Sequence, residues 1–136
     1  MKRRIVLPLW AIAVVTTAIA ADPANFTGEF ADKKFLNGQA VFQMSLEQNG
    51  NTVTVWFSAG YSDGHGAAPE ANGTGKVAGK GSVEFTFQDS YKNAGTGTIA
   101  RAREDVVVSI KTTRVADSTC LEFYKQNIRL RRVAKK

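Results

Sequence analysis

The amino-acid sequence predicts an all-β protein, a small antiparallel up-and-down β-barrel of about eight strands, with a β-sandwich as the alternative. Short segments that alternate apolar and polar residues recur at intervals of about ten residues along the chain. Clusters of glycine, asparagine, aspartate and serine separate these segments, and helical periodicity is missing after residue 20. We favour the barrel because a polar face recurs on every segment and only closure removes the edges of a sheet.

The first twenty residues predict a cleavable export signal. Lys2, Arg3 and Arg4 precede an apolar run from Ile5 to Ile19. The segment ends in Ala18-Ile19-Ala20, which places small residues three before and one before the predicted cleavage point. An uncut membrane-spanning helix needs roughly 20 apolar residues, which is longer than this run. We therefore expect cleavage after Ala20 and a single domain of residues 21–136 in the periplasm or outside the cell, with no transmembrane segment.

The charge of the predicted mature domain is concentrated at its C-terminus. Three of the 18 basic residues lie in the signal, which leaves 15 against 12 acidic residues, or +3. Five of these 15 lie in residues 129–136, so residues 21–128 carry 10 basic and 12 acidic residues, or −2. A faintly acidic body with a basic C-terminal tail does not fit a nucleic-acid-binding protein, which shows a basic face interleaved with aromatic residues.

A β-hairpin within residues 40–59 is the clearest element. Apolar residues occupy every second position from Ala40 to Leu46 and from Val53 to Ala59, which is the period of a strand. Asn49-Gly50 lies between the two runs and is a strong hairpin signal. If these two residues form the turn, the numbers of paired residues sum to 99, with Leu46 facing Val53, Met44 facing Val55, Phe42 facing Phe57 and Ala40 facing Ala59.

The remaining strands follow from the same alternation. Phe26 to Phe30 forms a short first strand, and the later strands are predicted at Gly75–Ala78, Ser82–Asp89, Gly95–Arg101, Val106–Lys111, Thr119–Tyr124 and Asn127–Val133. Residues 60–75 form the one connection too long for a hairpin turn. Loops of that length in small domains are usually functional or disordered, so we expect a binding function there.

Candidate binding residues follow from the chemistry of that loop. Asp63 and Glu70 are carboxylates able to meet a basic partner, and Tyr61 is an amphipathic anchor of the kind that dominates protein interfaces. Ser62 and His65 complete the predicted partner-binding loop. Trp56 lies on the polar face of the hairpin, where it is either covered by the chain termini or exposed as a surface anchor.

The sequence offers no catalytic, metal or cofactor site. Ser62, Asp63 and His65 are close in sequence, but a triad needs groups that converge from a rigid scaffold. One histidine and one cysteine provide no metal-ligand spacing. Cys120 lies in an apolar stretch and is expected to be buried, with an intermolecular disulfide as the alternative. We therefore expect a binding protein and not an enzyme.

The export signal, the cysteine-poor β-domain and Tyr61-Ser62-Asp63-Gly64 beside a strand resemble the periplasmic lysozyme inhibitors of Gram-negative bacteria. Those proteins are small β-barrels that insert loop residues into the cleft of a lysozyme. Their loop motif is of the Ser-Gly-x-x-Tyr type, and the nearest stretch here, Ser58-Ala59-Gly60-Tyr61, has a different spacing. The resemblance implies architecture, compartment and a class of partner, and assigns no residue a role.

Two functions remain open at this point. The first is an inhibitor or immunity-type protein that blocks a cell-wall-degrading hydrolase through residues 60–75. The second is a barrel that holds a small apolar ligand in its interior, although bulky inward side chains tend to fill an eight-stranded barrel. A generic envelope protein is a third possibility. The basic C-terminal residues are interpreted as protection of a terminal strand edge, with contact to anionic lipid or polysaccharide as the alternative.

The export signal yields a direct prediction. A signal peptidase should cut after Ala20, because the small residues of Ala18-Ile19-Ala20 fit its recognition site. Intact-mass analysis of protein recovered from the periplasm should therefore show Ala21 as the N-terminal residue. Recovery of an uncut chain in the membrane fraction would contradict the prediction.

Overall fold

The computed structural model describes residues 25–79 and 81–133, and these form a closed barrel of eight strands. The strands are β1 Gly28–Lys34, β2 Ala40–Asn49, β3 Thr52–Tyr61, β4 Glu70–Ala78, β5 Ser82–Asp89, β6 Ala94–Ala102, β7 Asp105–Arg114 and β8 Ile128–Arg132. A turn, Phe35–Gly38, in which Leu36, Asn37 and Gly38 have positive φ, joins β1 to β2, and a 3-10 helix, Ser118–Phe123, precedes β8. The predicted export signal lies outside the described residues.

Each strand pairs antiparallel with the next, and β1 pairs with β8 to close the barrel. The closing seam has two register pairs, Phe30 with Arg132 and Ala31 with Arg131, whereas β2 and β3 pair along their whole length. The predicted up-and-down barrel is confirmed. Among the described residues, no helix has the length and apolar character needed to cross a membrane.

The connections divide the barrel into two unlike ends. Because successive strands alternate in direction, the links 35–39, 62–69, 90–93 and 115–127 lie at one end, which we name the loop end. The short links 50–51, 79–81 and 103–104 lie at the other, which we name the turn end. All of the longer connections between strands therefore lie at one end of the barrel.

The β2–β3 hairpin forms as predicted, but its register differs by two residues. Asn49 is the last residue of β2 and pairs with Thr52, so Gly50 and Asn51 are the turn and partner numbers sum to 101. Leu46 therefore faces Val55, Met44 faces Phe57, Phe42 faces Ala59 and Ala40 faces Tyr61. Gly50 alone of the two turn residues has a positive φ, 62°, as a turn with glycine at its first central position requires. A shift of two preserves strand parity, so the same side chains point inward.

The prediction of a strand at Thr119–Tyr124 is wrong. This segment forms the 3-10 helix Ser118–Phe123, whose first turn is capped by the Asp117 carboxylate accepting the backbone N–H of Thr119 at 2.9 Å. Cys120 and Phe123 are buried one turn apart on the same side. The three-residue spacing of Cys120 and Phe123 is the repeat of a 3-10 helix, but in so short a segment the apolar pattern is also compatible with a strand.

Phenylalanine rings fill the barrel interior. Phe57 is central: its ring centroid lies 5.5 Å from that of Phe42, 6.4 Å from Phe85 and 5.2 Å from Phe87. Each phenylalanine of β5 faces a glycine on both neighbouring strands, Phe85 between Gly75 and Gly97 and Phe87 between Gly73 and Gly95. The sequence alternation of β5 therefore becomes a packed core.

The β2–β3 turn makes a testable prediction. Gly50→Val should lower the free energy of unfolding by about 1–2 kcal/mol, because a β-branched residue is strained at positive φ although the space around Gly50 is open. Urea unfolding followed by circular dichroism measures this difference. Asn51→Ala, in the same exposed turn without positive φ, is the control and should change stability far less. Equal midpoints for Gly50→Val and wild type would contradict the assigned turn.

Candidate functional site

The predicted 60–75 loop is shorter in the structure. Strand β3 continues to Tyr61 and β4 begins at Glu70, so the connection spans residues 62–69. Residues 70–75 belong to the sheet, where Ser58 pairs with Glu70 and Val53 with Gly75. The glycines at 73 and 75 suggested a loop, but they provide room for the phenylalanine rings of β5. The β3–β4 loop is therefore residues 62–69.

Hydrogen bonds to other parts of the barrel hold the β3–β4 loop at both of its ends. The Ser62 N–H donates to the Gln39 carbonyl at 2.9 Å, and the Pro69 carbonyl accepts from Ala59 at 3.1 Å. Between them, the Ala68 N–H donates to the Tyr91 hydroxyl at 3.1 Å. These bonds link the loop to three other parts of the loop end. The glycine-rich sequence therefore adopts a defined conformation.

Tyr61, Asp63 and His65 come together at the start of this loop. The Asp63 carboxylate accepts the backbone N–H of His65 at 3.0 Å and lies 2.5 Å from its Nδ1. The imidazole stacks on the Tyr61 ring, with centroids 4.3 Å apart and planes 20° from parallel. Side chains of His65 and Asp63 are 64% and 71% exposed, so this ordered group faces solvent.

Electrostatics within this group follow from its hydrogen bonds. Bonds from the His65 backbone N–H and imidazole lower the pKa of Asp63. The Tyr61 hydroxyl donates to the Glu122 carboxylate, and this bond raises the pKa of Tyr61 by favouring the neutral phenol. Tyr61 also contacts the ring of buried Phe123, with centroids 5.4 Å apart. Tyr61 thus connects the exposed loop to the 3-10 helix.

A cleft of about 380 Å³ lies between the loop and the 3-10 helix. We name it the loop-end cleft, and its lining residues are Tyr61, His65, Gly66, Ala67, Tyr91, Thr119 and Glu122. The sequence alone did not indicate that Tyr91, Thr119 and Glu122 belong to this site. Tyr91 belongs to the β5–β6 turn, and the other two lie in the segment misread as a strand, so only the helix assignment would have placed them there.

The other predicted site residues lie apart from this cleft. Ser62 and Glu70 line a second groove of about 340 Å³, which runs along β2 and β3 and shares only Tyr61 with the cleft. Trp56 is half-buried on the outer wall, midway along β3, between its register partners Ser45 and Asn72. The structure therefore separates Ser62 from the cleft that His65 lines and does not gather them as a hydrolytic triad. Within residues 25–79 and 81–133, no three ligand-type side chains converge on a possible metal position.

A buried polar network supports the cleft from below. The Asp89 carboxylate accepts from the backbone N–H groups of Tyr91 and Asn93, at 2.8 and 2.9 Å, and from the Asn93 amide at 2.9 Å. Its second oxygen also accepts the Tyr124 hydroxyl at 2.6 Å. Burial and the Asp89 contact raise the pKa of Tyr124, so this residue remains a neutral donor. The network joins β5, the β5–β6 turn and the end of the 3-10 helix.

Asn93 extends the same network to the segment before the helix. Its side-chain oxygen accepts the backbone N–H groups of Ala116 and Asp117, at 2.7 and 2.9 Å. Asn93 is fully buried, and a buried amide is costly unless its groups are bonded. The position of the helix beside the β3–β4 loop is therefore fixed from within the barrel.

Comparison with protein-family models, with curated proteins and with solved structures gave no match for this chain. The geometry of the loop end is therefore the basis for a functional proposal. It combines exposed carboxylates, two tyrosines and one imidazole on a fixed backbone. Such a surface can bind another molecule through hydrogen bonds, charge and ring contacts.

Cys120 is fully buried and unpaired, as the sequence predicted. Burial, followed by the nearby charges of Asp89 and Asp117, raises the pKa of its thiol to about 11. The neutral thiol therefore predominates in the folded protein up to alkaline pH, and the nucleophilic thiolate is scarce. This environment does not suit an intermolecular disulfide.

Native protein at pH 8 should therefore react with iodoacetamide much more slowly than protein unfolded in guanidinium. A thiol of ordinary pKa holds roughly a hundredfold more thiolate at this pH than one near 11. Mass spectrometry of timed aliquots measures the labelled fraction, and the unfolded sample is the reactive control. Equal rates in the two samples, or a disulfide-linked dimer on a non-reducing gel, would contradict the buried site.

Proposed function

We propose that this protein is an exported binding protein that inhibits a basic cell-wall-degrading hydrolase through the loop end of its barrel. The observation that carries the proposal is the fixed conformation of the β3–β4 loop, which presents Asp63 and His65 to solvent on a backbone bonded to Gln39 and Tyr91. A rigid loop loses little conformational entropy on binding. Rigid projecting loops suit insertion into the cleft of an enzyme.

Charge at the loop-end cleft and the groove beside it supports a basic partner. The exposed cations of the loop end line neither of them, and these are Lys34, Lys92, Arg114 and Lys125. Asp63, Glu70 and Glu122 are exposed there, and the lowered pKa of Asp63 keeps its carboxylate ionised into the acidic range. Complementary charge mainly accelerates encounter and selects the partner. The resemblance of the sequence to periplasmic lysozyme inhibitors suggests the class of that partner, a hydrolase of the cell wall.

The filled interior weighs against a barrel that carries a small apolar ligand. The rings of Phe42, Phe57, Phe85 and Phe87 occupy the centre at contact distances. Tyr124 adds a further ring, 6.0 Å from Phe57 and 5.5 Å from Phe87. A ligand would have to displace this packed cluster, whereas the loop end is already accessible. Binding at the loop end is therefore the better-supported function.

An inhibition assay tests the proposal. Mature protein should slow the lysis of cell-wall suspensions by at least one member of a panel of lysozymes and other wall hydrolases, measured by turbidity. The double variant Asp63→Lys and Glu70→Lys should weaken that inhibition by at least about tenfold, since exposed carboxylates at the loop end would meet a basic enzyme with the wrong charge. Both side chains are exposed and the Asp63 bonds to His65 lie within the loop, so the melting temperature of the barrel should change little.

A matched control reverses two carboxylates elsewhere. Glu47 lies near the turn end of β2 and Glu104 in the β6–β7 turn, and both are exposed. Glu47→Lys with Glu104→Lys makes the same change in net charge and should leave inhibition close to wild type. Wild type that inhibits no enzyme of the panel would reject the inhibitor function. Equal losses in both double variants would reject the loop end as its site.

A further inference from the structure

A groove of about 620 Å³ follows the closing seam between β1 and β8. Its cationic side chains are Lys33, Lys34, Arg129, Arg131 and Arg132, and Asp32 is the carboxylate among its lining residues. The floor is Ala31, which is only 7% exposed although it pairs with exposed Arg131 on the outer wall. The long side chains on either side therefore form the walls of a depression, and its volume is typical of ligand sites.

Protection of a strand edge explains only some of these cations. Lysine and arginine on a terminal strand usually prevent pairing with another chain. Here β8 pairs with β1 only at Arg131 and Arg132, so these two positions have no free edge, whereas Lys33 and Arg129 lie where the two strands are not paired. Arg131 and Arg132 therefore need another physical reason.

Two of the arginines are already engaged by groups from the turn end of the barrel. Arg129 forms an ion pair with Asp105 at 3.2 Å, and Arg132 donates to the carbonyls of Glu104 and Thr27 while covering the ring of Phe30. These contacts hold the two guanidinium groups in place. A fixed guanidinium retains donors that can be directed at a further anion.

The remaining cations lack such partners. Within residues 25–79 and 81–133, Lys33, Lys34 and Arg131 make no side-chain hydrogen bond or ion pair. The Asp32 carboxylate instead accepts the backbone N–H of Lys34 at 2.9 Å. Ala31 pairs with Arg131, so Lys33, two residues further along the same outer face, is a diagonal neighbour of Arg131, and like charges at such neighbouring positions repel each other. An anion in the groove would relieve this repulsion on both strands at once.

We propose that the seam groove binds a ligand that carries two or more phosphate groups. Guanidinium groups match phosphate oxygens in bidentate geometry, and lysine ammonium groups add point charges. Arg129 is already paired with Asp105, and the four other cations against one lining carboxylate still exceed what a single carboxylate ligand would neutralise. A concave groove with an alanine floor accepts an inserted phosphate better than it fits a flat surface. This site lies on the barrel wall and is independent of the inhibitor function.

Tripolyphosphate is the probe for the first measurement. Isothermal titration calorimetry with the mature protein at low ionic strength should give saturable binding that weakens as salt is added. The bound anion should also raise the melting temperature, since it bridges β1 and β8. Lys33→Ala with Arg131→Ala should weaken binding by at least tenfold. Its melting temperature without ligand should stay near wild type or rise, because the variant relieves repulsion.

Lys76→Ala with Lys111→Ala is the matched control, since it removes the same charge from exposed positions on β4 and β7. This variant should bind tripolyphosphate within about twofold of wild type. Lack of saturable binding by wild type would overturn the proposal. Equal weakening in both double variants would also overturn it, because binding would then reflect net charge alone.

Vesicles distinguish the sources of phosphate. Wild type should sediment with vesicles that contain cardiolipin, whose headgroup carries two phosphates, only if lipid headgroups enter the groove, and tripolyphosphate should then displace it. Tripolyphosphate binding without vesicle binding supports the groove as a site for a soluble phosphate ligand. Vesicle binding that persists both when tripolyphosphate is added and in the variant with Lys33→Ala and Arg131→Ala would overturn the groove as the phosphate site.

Discussion

The packing of Phe85 and Phe87 against glycine on both sides is the constraint on which the rest of this barrel depends. A Cβ added at Gly97 would lie 2.4 Å from the Phe85 ring, and one added at Gly95 would lie 2.8 Å from that of Phe87. Backbone oxygens of neighbouring strands are also too close. The large rings therefore fill the interior only because β4 and β6 lack side chains opposite them. With the interior filled, the ends and the outer wall are left for recognition.

The same strand also organises the loop end. β5 carries the two phenylalanines and ends in Asp89, whose carboxylate gathers donors from the next turn and from Tyr124. A buried carboxylate is tolerated because both of its oxygens accept hydrogen bonds. Removing one donor would leave the Asp89 carboxylate with too few hydrogen bonds in the interior, at a large cost in desolvation free energy. The core and the loop-end cleft are thus two parts of one packed structure, and the cleft inherits the rigidity of the barrel.

Much of the barrel could be predicted from strand-period alternation, because inward positions in an up-and-down barrel are set by parity alone. Parity survives a shift of two residues, which is why the inward side chains of β2 and β3 were right and their partners wrong. The glycines at 73 and 75 were misread as loop because their role depends on Phe85 and Phe87, which lie on another strand. The cleft was only partly predictable, since Glu122 meets Tyr61 through a contact between distant parts of the chain.

The position of the closing seam has a consequence for how this chain folds. Arg132 contacts the Thr27 carbonyl across 105 positions of sequence, the longest separation among the hydrogen bonds that hold β1 and β8 together. Every other strand pairs with its immediate neighbour, so hairpins can form in succession while the cylinder stays open. Closure awaits the last strand. If the chain is exported as we propose, the barrel cannot close until β8 has crossed the membrane. The part of the chain that has already crossed therefore stays open until then.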